Sequence, residues 1–104
     1  MKFVSSRAFV ALIVAGGFAA PALASADLAK KYNCLGCHSE DKKLVGPSYN
    51  EIAAKYKGNK DAEAKVLDQI KKGGSGAWGA VPMPPQPTVT DADAKALAQW
   101  ILKR

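Results

Sequence analysis

Apolar positions along the chain fall into four helical stripes separated by glycine and proline. The first runs from Asp27 to about Asn33 and leads directly into two cysteines. Tyr49 to Tyr56 is the second, opened after Gly46-Pro47 and closed before Gly58. The third, Asp61 to Lys72, has an acidic first turn and ends on Lys71-Lys72, where cations suit the helix dipole, before Gly73-Gly74 stops it. Its stripe is Val66, Leu67 and Ile70. The fourth runs from Asp91 to about Lys103, with Thr90 as N-cap and Asp93 in the place of a weaker capping box; Ala94, Leu97, Ala98 and Ile101 share one face. Between the last two lies Gly73 to Val89, holding four of the nine glycines and four of the six prolines, with no convincing strand pattern. So long a loop in so small a chain is expected only where it has a function. The predicted class is all-α: about four short helices and one long wrapping loop.

The start of the chain has a different pattern. Lys2 and Arg7 precede an unbroken apolar and glycine run of 13 residues to Ala20, followed by Pro21 and the small-residue steps Ala22-Leu23-Ala24 and Ala24-Ser25-Ala26. A basic start, a short apolar centre and an A-x-A site describe a secretory signal peptide. The run is too short for a spanning helix, which needs about 20 apolar residues. Residues 1–26 are therefore expected to be removed, with cleavage after Ala24 or Ala26, leaving residues 27–104 as one domain in the periplasm.

Removing Lys2 and Arg7 lowers the formal net charge from +6 to +4. What remains, about 80 residues, is near the lower limit for a self-sufficient core and calls for a staple or a cofactor. It is also far too short for the large nucleotide-binding and barrel folds. An apolar content of 48% excludes a disordered chain.

The chemistry sits in Cys34-Leu35-Gly36-Cys37-His38, a C-x-x-C-H attachment signature for c-type haem. Two thiols a short helical step apart can each add S–H across one of the two vinyl groups on a porphyrin edge. The next residue, His38, can then offer Nε2 to the iron. Three other readings of the cysteines compete. A thioredoxin-like pair needs an α/β sheet that the pattern does not contain. Structural zinc needs four ligands, and the chain offers two Cys and one His. A plain disulfide would close a very small loop and leave the core thin. Haem agrees with export, size and motif together.

A sixth iron ligand follows by elimination. His38 is the only histidine, and Met1 is lost with the signal segment, which leaves Met83 in Val81-Pro82-Met83-Pro84-Pro85. Flanking prolines make a stiff, extended holder for that side chain. A gap-filling core methionine is the competing role. His/Met ligation closes both axial positions and raises the reduction potential, which favours electron transfer over substrate chemistry. A haem sensor, or a weak peroxidase, would need Met83 off the iron.

These motifs, with Leu44-Val45-Gly46-Pro47, Lys71-Lys72-Gly73-Gly74-Ser75-Gly76-Ala77-Trp78-Gly79 and Ala96-Leu97-Ala98-Gln99-Trp100-Ile101, resemble the small bacterial class I cytochromes c of the c-551/c-552 type. The resemblance covers Asp27 to Lys103. It implies the compact helical cytochrome c fold, with N- and C-terminal helices packed together around one covalently attached haem c and its iron, and no enzymatic activity. It further implies that the Pro47 carbonyl accepts a hydrogen bond from His38 Nδ1 and that the Trp78 indole reaches a haem propionate. Gln86 stands where relatives often carry an Asn whose amide contacts the ligating sulfur.

Paired lysines, Lys30-Lys31, Lys42-Lys43 and Lys71-Lys72, carry much of the positive charge. Export and the lack of aromatic interleaving exclude nucleic acid as a partner. A net positive surface instead suits acidic patches on redox proteins, met in brief encounters. Lys42 and Lys43, close to the attachment motif, are the expected contact rim. Donors and acceptors implied by the resemblance include a terminal oxidase, a nitrite reductase or a photosynthetic reaction centre in a respiratory or related chain, with the carrier itself a monomer.

Overall fold

The computed structural model describes residues 22–104. The greater part of the predicted signal segment, residues 1–21, lies outside the described residues. No helix among those described is long and apolar enough to cross a membrane.

Helix α1 spans Ala22–Lys31, beginning five residues before the predicted start and running through both candidate cleavage points. Ala22, Leu23, Ala24 and Ala26 are good helix formers, and nothing between them and Asp27 breaks the pattern. Its end is set by Asn33, which takes left-handed φ 59° and ψ 31°. Asn tolerates that region better than most residues. The chain then tightens into a 3₁₀ turn, Cys34–Gly36.

Helix α2, Tyr49–Tyr56, has the predicted bounds. Its start is a full capping box that the sequence pattern did not single out. Ser48 Oγ accepts from Glu51 N at 3.1 Å, and Ser48 N donates to Glu51 Oε2 at 2.8 Å. Helix α3, Ala62–Lys72, follows Asp61 and carries an i,i+4 ion pair, Lys72 to Asp68, at 2.8 Å. Helix α4, Asp91–Leu102, is capped by Thr90, whose Oγ1 accepts from Asp93 N at 3.1 Å. The Asp93 carboxylate is turned elsewhere: its Oδ2 accepts from Tyr32 OH at 2.6 Å, tying the end of α1 to the start of α4.

The segment between α3 and α4 differs from the expectation. It folds into an antiparallel ribbon of β1, Gly74–Gly76, and β2, Gly79–Met83, pairing Gly74 with Met83 and Gly76 with Gly79 with an irregularity between. Such a ribbon is invisible to an apolar–polar alternation test. It is glycine-rich and almost wholly exposed, with no buried apolar face to reveal it. The class remains all-α, with this ribbon as its one addition among the described residues.

Helix α4 packs against α1, α2 and α3, including the expected pairing of the first and last helices. Its predicted face, Ala94, Leu97, Ala98 and Ile101, is buried throughout. Leu97 joins Val66 and Ile70 of α3 and Tyr49 and Ile52 of α2 in one cluster. Lys71 Nζ closes the edge near the α4 cap, donating to Val89 O at 2.7 Å and pairing with Asp91 at 2.9 Å. The core is thus built on one helix, and one side of it stays open.

Candidate haem site

The open side is a cavity of about 390 Å³. Its apolar floor comes from Ile52, Val66, Ile70, Leu97 and Ile101 on three helices, and its walls carry Cys34, Cys37, His38 and Met83. That size falls within the range of ligand sites. An apolar void of this extent would weaken so small a core unless a body filled it.

One helical step builds the attachment end. Cys37 N and His38 N both donate to Cys34 O, at 3.2 and 2.9 Å, so Cys34, Cys37 and His38 belong to a single turn. Both cysteines are free thiols, half-buried at Cys34 and exposed at Cys37. Burial pushes the Cys34 thiol up from its ordinary value; a local backbone hydrogen bond opposes this and neighbouring Cys37 adds to it. Among the described residues no three His, Cys, Asp or Glu side chains converge on one point as a structural metal site requires.

The His38 ring is fixed on three sides. Its Nδ1 lies 2.7 Å from the carbonyl oxygen of buried Pro47, which selects the Nδ1–H tautomer and leaves Nε2 as the basic nitrogen. Tyr49, 2% exposed, stacks against it with centroids 5.7 Å apart and planes 23° apart. Gly46 lies so near that an added Cβ would come within 2.6 Å of His38 Cε1. Gly46 is itself anchored, its N donating to Cys37 O at 2.8 Å and its O accepting from Leu44 N at 3.1 Å.

Met83 ends β2, half-buried, on the cavity wall. Gly73 backs this segment at φ 65° and ψ −159°, and a Cβ there would meet Met83 O at 2.3 Å, Pro85 N at 2.7 Å and Pro84 C at 2.8 Å. This glycine therefore does more than stop α3; it lets two backbones touch. Gln86 N donates to Ile70 O at 3.1 Å, joining the end of the Met83 segment to α3. The Gln86 amide lines the cavity but donates to Pro84 O at 3.2 Å, not to the methionine sulfur.

Trp78 lines the cavity too, half-buried. Lys55 Nζ lies 4.4 Å above its ring and donates to Ala77 O at 2.5 Å, a cation beside Trp78 that the pattern of the sequence did not mark. Lys42 and Lys43 are exposed, and Lys43 pairs with His38 across an isolated antiparallel bridge that brings it to the cavity rim. Sequence reasoning gave Tyr49 only a structural place in its helix, read Gly46 and Gly73 only as helix boundaries, and did not mark Lys55. The signal for the two glycines was their place beside Pro47 and after Lys72; for Tyr49 there was none beyond its aromaticity.

The arrangement fits a flat apolar body attached at the cysteine turn and approached by one imidazole and one thioether. Comparison with known proteins agrees with it. The sequence profile of the cytochrome c family matches residues 22–104. Cytochrome c-552 of Nitrosomonas europaea is 55% identical over 92 residues, covering 88% of this chain and 85% of that protein. Cytochrome c-552 of Hydrogenobacter thermophilus is 54% identical over 91 residues, 88% and 92% of the two chains. The crystal structure of the N. europaea protein superposes with a TM-score of 0.72 at 57% identity, covering 74% of this chain and 95% of that one. Class 1 cytochrome MtoD from Sideroxydans lithotrophicus matches with a TM-score of 0.69 at 34% identity, over 79% and 94%. With motif, fold and cavity in agreement, the chain belongs to the cytochrome c family, a monohaem electron carrier with covalently attached haem c and not an enzyme.

Proposed function

We propose that this carrier works in the periplasm, exported by residues 1–26 and freed by cleavage after Ala24 or Ala26. Cys34 and Cys37 would hold the haem through thioethers, and His38 Nε2 and Met83 Sδ would ligate its iron. When bound, the haem supplies an iron that accepts or releases one electron. The chain's own residues hold the surrounding geometry constant between the two oxidation states. Pro47 O keeps Nδ1 protonated and the imidazole oriented. The Gly73 contact and the ribbon hold the methionine segment. Trp78 and Gln86, both on the cavity wall, are the candidate polar contacts to the bound group.

One observation carries this reading: the only histidine of the chain and the one methionine of the described residues line the same cavity as both thiols. With both side chains on the iron, no place would be left for a substrate, and the soft thioether would favour the reduced iron relative to harder ligand sets. Val45 and Val81 are exposed and line the cavity, as Lys43 does, so its lining includes exposed apolar and positively charged residues. Such a surface suits short encounters between the monomer and acidic faces of respiratory redox proteins.

The test is an optical spectrum of the exported wild-type protein and of Met83→Ala, oxidised and reduced. Wild type should show low-spin bands, a c-type reduced spectrum and the weak far-red band of methionine on ferric iron. Met83→Ala should lose that band and bind carbon monoxide when reduced. A wild-type protein that is high-spin and binds carbon monoxide would instead be a ligand-binding haem protein.

A further inference from the structure

The face of the molecule behind His38 holds a cation that none of the site's chemistry has used. The guanidinium carbon of Arg104 lies 5.2 Å from the Tyr49 ring centroid and 4.6 Å from that of Trp100. Trp100 meets Tyr49 edge-on at 5.1 Å, and Tyr49 stacks on His38 at 5.7 Å. The Arg104 side chain is only 14% exposed and pairs with Glu40, two residues beyond His38, whose side chain is 61% exposed. The segment between is tied to the first turn of α2, with Tyr49 N donating to Ser39 O at 2.9 Å and Asn50 N to Glu40 O at 3.1 Å.

Resting on the reading of His38 as iron ligand, we propose that Arg104 sets the reduction potential of the haem, its guanidinium acting through the Tyr49 ring that backs the His38 imidazole. A fixed positive charge near the iron disfavours the oxidised state, which carries one more positive charge than the reduced state. The partner Glu40 opposes this effect from a wetter position, where its field is better screened. The covered guanidinium outweighs the exposed carboxylate, and the pair acts as a net cation at the iron. Arg104 is a positioning and electrostatic residue; it touches neither the cavity nor its ligands directly.

The test is the midpoint potential of the holoprotein by spectroelectrochemical titration, for wild type, Arg104→Gln, Arg104→Lys and Glu40→Gln. Arg104→Gln should lower the reduced-to-oxidised ratio at a given potential about threefold, ~30 mV at about 59 mV per tenfold. Glu40→Gln should raise it, and Arg104→Lys, which keeps the charge, should fall between wild type and Arg104→Gln. An unmoved Arg104→Gln overturns the proposal. So does a shift of both neutral variants in the same direction, because loosening the pair from either end would act alike. If Arg104→Gln does not accumulate as holoprotein, the sign for Glu40→Gln decides alone: a rise supports the proposal, and no change or a fall refutes it. Failure of the ligand reading is separately visible, as a wild-type spectrum lacking low-spin methionine ligation.

Discussion

Replacing Gly46 with alanine adds one methyl group beside the proposed iron ligand and nothing else. The new Cβ would stand 2.6 Å from His38 Cε1, 3.0 Å from Nδ1 and 3.2 Å from Nε2. Ordinary contact begins near 3.4 Å, so the ring must retreat by several tenths of an ångström or more. It cannot do so freely: Nδ1 is bound to Pro47 O at 2.7 Å, and Tyr49 stacks against the ring. The backbone of Gly46 is held through Cys37 O and Leu44 N. Overpacking of this kind costs about 1–3 kcal/mol. Weakening the histidine hydrogen bond adds ~1 kcal/mol, and restricting the unfolded chain returns about half of that. The expected loss is about 1.5–3.5 kcal/mol in urea unfolding of the holoprotein, with a changed haem spectrum before unfolding begins. Gly58→Ala is the control, since nothing lies within 4 Å of its Cβ and only its φ of 79° is strained. It should cost about 1–2 kcal/mol and leave the spectrum untouched. A Gly46→Ala protein with wild-type stability and spectrum would refute the argument that this glycine positions the imidazole.

Gly73→Ala meets backbone atoms that have no flexible way out, so it should destabilise by ~3 kcal/mol or more and weaken the far-red methionine band first; an intact band in a stable variant would break the link to Met83. The Tyr49 hydroxyl is buried and has no hydrogen-bond partner among the described residues, so Tyr49→Phe should match or exceed wild-type stability by ~1 kcal/mol in thermal unfolding, and a clear loss would mean the hydroxyl has a partner. Burial holds the Tyr49 phenol well above its ordinary value of 10, so only the unfolded chain sheds this proton first as pH rises past 10. Wild type should therefore lose stability above pH 10 more steeply than Tyr49→Phe, and parallel pH profiles would contradict that sign. Ser48→Ala removes the capping box at a buried position and should cost about 1–2 kcal/mol without altering the spectrum. Lys42→Gln with Lys43→Gln should flatten the salt dependence of electron transfer to an acidic redox partner; an unchanged dependence removes these lysines from the rim.

Most helices were readable because their signals are local. Tyr49 to Tyr56 lies between Pro47 and Gly58, and the α4 stripe repeats at helical spacing, so bounds and buried face both follow from neighbours in the chain. The start of α1 was misplaced for a related reason. A processing signal and a helix former share the same small residues, and Ala22 to Ala26 satisfies both. The ribbon was missed because glycine-rich strands advertise themselves only through backbone pairing.

The proposed attachment chemistry is written within one turn. In C-x-x-C-H the backbone N–H groups of Cys37 and His38 both donate to Cys34 O, which gathers two thiols and an imidazole in one turn, so five residues suffice to read it. Met83 was reached by elimination, since composition left no other soft donor in the expected mature chain. What surrounds those atoms depends on contacts between distant segments. Gly46 against His38, Gly73 against Met83 O and Arg104 over the Tyr49 ring have no periodicity and no motif. They exist because α4 draws the other three helices onto itself and leaves one apolar side open. Local bonding declares itself in order along a chain, whereas close packing is a property of the assembled volume.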